Sequence, residues 1–131
     1  MAAQDESLRP YAIRLTDSAR SDIDAASQWF SEMAGQQIAE MWEEGLEAAL
    51  ATLATMPRSH PFAPEHARFR HEVRQLLYRR PGSSRTSPVY RILFSIRDDT
   101  PDGPIVVVFH VRHGAQHPIT AREARELEGE L

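Results

Sequence analysis

Apolar side chains at Tyr11, Ile13 and Leu15 alternate with Ala12 and Arg14, the period-two pattern of a strand with one buried face over residues 10–16. The period then changes. Thr16 or Asp17 offers an N-cap, and Ala19, Ile23, Ala26, Phe30 and Met33 recur at helical spacing. Gly35 stands where a C′ residue ends a helix. A second helical run follows at once through Ile38, Met41, Trp42, Leu46, Ala49, Leu50 and Leu53, and Pro57 stops it. So short a connection makes the two helices antiparallel neighbours, an αα-hairpin with one apolar seam, in which Trp29 and Trp42 are expected to pack.

Pro61 and Pro64 mark residues 58–67 as a loop, and strand character returns from Phe69 to Tyr78. The polar stretch 81–88 is longer than a hairpin turn and is expected to be mobile. Tyr90, Ile92, Phe94 and Ile96 then alternate with Arg91, Leu93, Ser95 and Arg97, a strand with both arginines on one face. Asp102-Gly103 supplies turn chemistry, and Ile105 to Val111 is apolar and β-branched enough for a central strand covered on both sides. Thr120 and Glu123 form a capping box for a helix from Ala121 to Glu128. The order β-α-α-β-β-β-α predicts an α+β fold, a curved, mostly antiparallel sheet with the αα-hairpin packed on one face. Residues 1–131 read as a single domain, with 1–9 a flexible tail and 119–131 a C-terminal helix.

Composition narrows the chemistry. The absence of cysteine excludes disulfides, thiolate zinc sites and thiol redox mechanisms, and fits a cytoplasmic setting. No apolar run approaches a membrane span or a secretory leader. The net charge of −4 conceals a segregation: −7 up to Met56, +7 from Pro57 to Arg97, and −4 thereafter. Every basic residue is arginine, which does not surrender its proton, so histidine alone among the basic side chains can serve as a general base. All six histidines follow Pro57. His110, His113 and His117 crowd together, but strand alternation sends His110 and His113 to opposite faces, and neither a metal nor any other cofactor is expected.

The element order, together with Tyr11 to Ala19, the Leu46 to Pro57 run ending LATMP, Val73-Arg74-Gln75-Leu76, Tyr90-Arg91-Ile92-Leu93-Phe94 and His113-Gly114-Ala115-Gln116-His117-Pro118, resembles the RelE/ParE toxin superfamily over about residues 10–118. The last string is similar to the ParE-like branch, where an arginine and an aspartate commonly stand at the positions of Gln116 and His117. The resemblance implies the toxin of a type II toxin–antitoxin system, neutralised by a cognate antitoxin. It implies growth inhibition through DNA gyrase, or alternatively RelE-like ribosome-dependent mRNA cleavage. A non-toxic binding or regulatory member is the third reading. RNA cleavage needs a base for the 2′-OH, cations for the phosphorane and an acid for the leaving oxygen. Arg91 and Arg74, projecting from adjacent strands into a shared hollow, would grip the phosphate; His113 would be acid or base, and Glu65 would assist from the loop. The structural alternatives are an Arg91 paired with an acid on the sheet face and a His113 that caps its strand. A basic surface is expected from Arg68 and Arg70, sharing a strand face with Arg74, from Arg79, Arg80 and Arg85 on the connector, and from Arg97. It would meet nucleic acid or an acidic antitoxin segment.

Overall fold

A computed structural model describes residues 10–131; the tail expected at 1–9 lies outside the described residues. The elements are β1 (Ala12–Leu15), α1 (Asp17–Ala34), α2 (Gln36–Ala51), β2 (Arg74–Tyr78), β3 (Tyr90–Arg97), β4 (Ile105–His113) and α3 (Ala121–Glu128). Their order and the αα-hairpin follow the sequence reading. The sheet runs β1-β4-β3-β2, with β1 parallel to β4 and the other pairs antiparallel, so β4 is central and β1 and β2 are edges.

Local chemistry sets the helix ends. Thr16 Oγ1 accepts from the Ala19 N–H at 3.2 Å and starts α1. Gly35 has φ 98°, a conformation favouring glycine, and alone joins α1 to α2. The second helix ends before Pro57, at Ala51, and a 3-10 turn Thr52–Ala54 follows. Met56, before Pro57, then takes φ 51° in the left-handed region, where the residue before a proline is ordinarily extended.

The hairpin packs on one face of the sheet through a cluster centred on Trp42, which is fully buried. Its ring lies 5.4 Å from Phe30, 5.2 Å from Tyr90 and 5.9 Å from Tyr78, and Tyr78 donates its hydroxyl to the Trp42 carbonyl at 2.7 Å. Trp29 departs from expectation: it sits on the outer side of α1, 45% exposed, edge-on to Phe30. The opposite face carries its own core of Ala63, Phe69, Val73, Leu93, Phe109, Ile119 and Ala124, so the 63–73 segment and α3 cover what the hairpin does not.

Two local departures decide where the charged residues go. Strand β2 begins at Arg74 rather than Phe69, because Phe69 and Val73 turn inward to the second core and the Arg70 N–H is taken by Glu128. In the β3–β4 ladder, Leu93 pairs with His110 and Phe94 with Val108, leaving Phe109 as an extra residue. This bulge reverses the alternation beyond it. Val106 and Val108 join the hairpin core, and so does Val111. His110 and Arg112 are thereby sent to the second face, where Arg112 stands directly across from Arg91.

Candidate functional site

Two guanidinium groups side by side on one sheet face demand anions, and the second face supplies them. The terminal nitrogens of Arg91 donate to the two Glu65 oxygens at 3.0 and 2.6 Å, and its Nε donates to Gln75 Oε1 at 2.9 Å. Glu65, only 4% exposed, also accepts the Ile119 N–H at 2.9 Å. Burial on its own would raise the Glu65 pKa, but the Arg91 fork and the Ile119 N–H prevail and hold it at about 2. Arg112, 3% exposed, donates to Glu123 Oε2 at 3.1 Å and to the His117 carbonyl at 2.8 Å. Glu123 is held below the ordinary carboxylate range, first by its hydrogen bond to the Thr120 backbone and then by Arg112. The result is a row, Glu65–Arg91 beside Arg112–Glu123, tying the 58–73 segment and α3 to the sheet.

Of the four residues expected to act together, Glu65 is bonded to Arg91 and His113 shares a pocket wall with Arg91, but Arg74 is set apart. Arg74 pairs in register with Phe94 and Arg91 with Leu77, so consecutive alternation puts the two arginines on opposite faces, and the expected shared hollow does not form. Arg74 is spent at the sheet edge: its Nε meets Glu72 at 2.5 Å, its Nη1 donates to the His60 carbonyl at 2.7 Å, and its guanidinium lies 4.2 Å over the Phe62 ring. His113 accepts the Ala115 N–H on Nδ1 at 2.9 Å and sits edge-on to Tyr90 at 5.3 Å. Arg91 and His113 do share the wall of an apolar shelf of ≈ 430 Å³ with Leu77, Pro88 and Val89. Gly114 closes that end, where an added Cβ would stand 2.9 Å from the Val89 carbonyl oxygen.

The basic residues also separate. Arg68 lies in a 3-10 turn and Arg70 in the bend after it, so neither shares a strand face with Arg74 as expected; both flank α3. Arg79 donates to the Ser87 carbonyl at 3.2 Å across the connector, on which Arg85 is exposed. Arg80 lines a groove of ≈ 240 Å³ along the hairpin with Trp29, Phe30, Met33, Ile38 and Pro88. Arg97 donates to the Leu131 carbonyl at 3.0 Å, on the same face as Arg91. Sequence reasoning missed Arg112; the only available signal was an arginine following an apolar β-branched run. Among the described residues there is no cluster of three or more metal-ligating side chains, and no helix is long and apolar enough to cross a membrane.

Comparison with known proteins sets this geometry in a family. The family model for the ParE toxin of type II toxin–antitoxin systems, parDE, matches residues 13–118. The chain belongs to the ParE toxin family. Its solved structural relatives include a chain of the chromosomal ParDE TA system from P. aeruginosa, with a TM-score of 0.57 and 14% identity, covering 79% of this chain and 95% of that one. No curated protein matches in sequence. In this ParE family member, Gln116 caps the turn after β4 by accepting the His113 N–H at 3.0 Å, and the His117 carbonyl holds Arg112.

Proposed function

We propose that this ParE family member is the toxin half of a two-protein system, that it arrests growth by binding DNA gyrase without catalysing a reaction, and that an antitoxin holds it inactive. One observation supports the non-catalytic reading above the others. All three nitrogens of Arg91 are engaged by Glu65 and Gln75, while Arg74 lies on the other face, so the phosphate-gripping pair that RNA cleavage requires is missing. His113 on the shelf is then left without a cationic partner free to stabilise a phosphorane. A protein partner is supported by exposed apolar side chains along the hairpin, Trp29 at 45% and Met33 at 69%, beside the groove that Arg80 borders. An antitoxin segment with apolar anchors and an acid for Arg80 suits that groove.

The test is a supercoiling assay with purified gyrase and the full chain, alongside mapping of transcript 5′ ends after induced expression. Inhibited supercoiling, relieved by the partner protein, with unchanged transcript ends supports the proposal. Codon-associated cuts with normal supercoiling would overturn it in favour of the ribonuclease, which has the shared Arg91–His113 wall in its favour.

A further inference from the structure

We infer that a cleft on the second face, between the 3-10 turn His66–Arg68 and the last turn of α3, is a binding site for a phosphate group. The cleft has a volume of ≈ 490 Å³ and is lined by Arg68, Arg70, Arg125, Glu128 and Gly129. Four of these five residues are charged. Three guanidinium groups reach it from two separate segments of the chain.

Their bonding leaves them available. Arg68 gives one N–H to the Ile119 carbonyl, which fixes its stem against the segment before α3. Among the described residues, the side chains of Arg70 and Arg125 have no hydrogen-bond acceptor at all. Glu128 does not neutralise them: one of its oxygens accepts the Arg70 backbone N–H and the other meets His71 Nδ1 at 2.9 Å. The side chains lining the cleft therefore carry +3 against −1. The negative end of the α3 dipole takes away roughly half a charge, leaving about +1.5. Like charges gathered around one depression repel one another, and an anion with several acceptor oxygens removes that cost. A phosphate oxygen set accepts paired N–H bonds from more than one guanidinium, whereas a carboxylate has only two oxygens and one charge.

Two sources present this chemistry, a free nucleotide and the backbone of a nucleic acid. The inference is independent of the proposed action on gyrase, since it concerns a cleft away from both the hairpin groove and the Arg91 shelf. The full chain is titrated with inorganic phosphate, with AMP, with a single-stranded oligonucleotide and, as a control anion, with free glutamate, followed by amide NMR shifts and calorimetry. Saturable shifts at Arg70, Arg125 and Gly129 with phosphate are expected. The exposed double substitution Arg70→Gln with Arg125→Gln is expected to weaken binding by about tenfold or more, and Arg122→Gln, outside the cleft, by less than about twofold. If nucleic acid is the source, the oligonucleotide binds tighter than AMP, and the slope of log K against log salt falls by about 0.7 for each arginine removed. If a nucleotide is the source, AMP binds as tightly as the oligonucleotide. Absence of a saturable response to phosphate overturns the inference. So does equal binding of free glutamate, or equal loss from the Arg122 control.

Discussion

Removing the head group of Arg91 by Arg91→Met keeps the length of the side chain and leaves the Glu65 carboxylate almost fully buried without its cation. Breaking a buried pair from one side costs about 3–5 kcal/mol. A second route gives a similar figure: Glu65 sits at about 2 against an ordinary 4.5, a difference that corresponds to roughly 3 kcal/mol. A carboxyl depressed in the folded state contributes stability that is whole above its unfolded pKa and is lost as pH falls through the folded one. The wild-type contribution therefore disappears between 4.5 and about 2. In the variant the sign reverses, because burial without a cation raises the Glu65 pKa; the deficit is then largest near about pH 8 and shrinks toward about pH 5. Urea denaturation followed by circular dichroism across that range reads both effects. The double substitution Arg91→Met with Glu65→Gln keeps an acceptor for the Ile119 N–H and removes the stranded charge, so it recovers most of the loss, with a coupling of at least about 2 kcal/mol. A single-variant loss below about 1 kcal/mol, or strict additivity in the double, would refute the buried pair as the fastening of this face.

Other expectations follow from particular contacts. Gly45→Ala gains about 1 kcal/mol of helix propensity, yet its Cβ would collide with the Tyr78 hydroxyl and stand 2.7 Å from Pro81 Cδ. A net loss of about 1–3 kcal/mol in chemical denaturation is expected, partly recovered in a Tyr78→Phe background; an unshifted midpoint would contradict the close approach. Thr120→Ala removes the acceptor 3.1 Å from the Glu123 N–H, costing about 1 kcal/mol. Amide exchange should speed up in α3 while the hairpin stays protected, and uniform protection would show the cap to be idle. Asp98→Asn breaks the 2.7 Å pair with Arg58, whose partners are 45% and 48% exposed. It is expected to cost less than about 1 kcal/mol, and a larger loss in thermal melts would mean the pair does more than a surface bridge can.

What was legible in the sequence was what local periodicity records. The strand at β1, both hairpin helices, the alternation of β3 and the Thr120–Glu123 capping box each declare themselves within a dozen residues. The misread parts depend on distant partners. Phe69 to Val73 has strand-like composition but is drawn out of the ladder by a core assembled from Leu93, Phe109 and Ile119. The bulge at Phe109 is invisible because Ile105 to Val111 has no alternation to interrupt, and with it went the placement of Arg112. Trp29 shares the helical phase of the seam closely enough to pass for core, yet it falls at the solvent side. Glu65 was expected only to assist from a proline-marked loop, and nothing near it in sequence shows that Arg91, 26 positions away, is its partner.

The charged row on the second face has a structural logic that bears on function. At eight residues, α3 is too short to hold its shape by propensity. It is held instead by fastenings along and just beyond it: Arg112 on Glu123 and the Arg70 N–H and His71 on Glu128 within the helix, Ser18 on Glu130 and Arg97 on the Leu131 carbonyl after its end. Ala124 and Ile119, both fully buried, are what those fastenings keep dry. Glu65 joins the same scheme by accepting the Ile119 N–H while gripping Arg91. Charges committed in this way are expensive to release for chemistry, because freeing Arg91 for a phosphate strands Glu65 and loosens the approach to α3 together. The surface left for partners is accordingly the one that costs the fold nothing to present: the exposed apolar flank of the hairpin and the arginines of the cleft that no carboxylate holds.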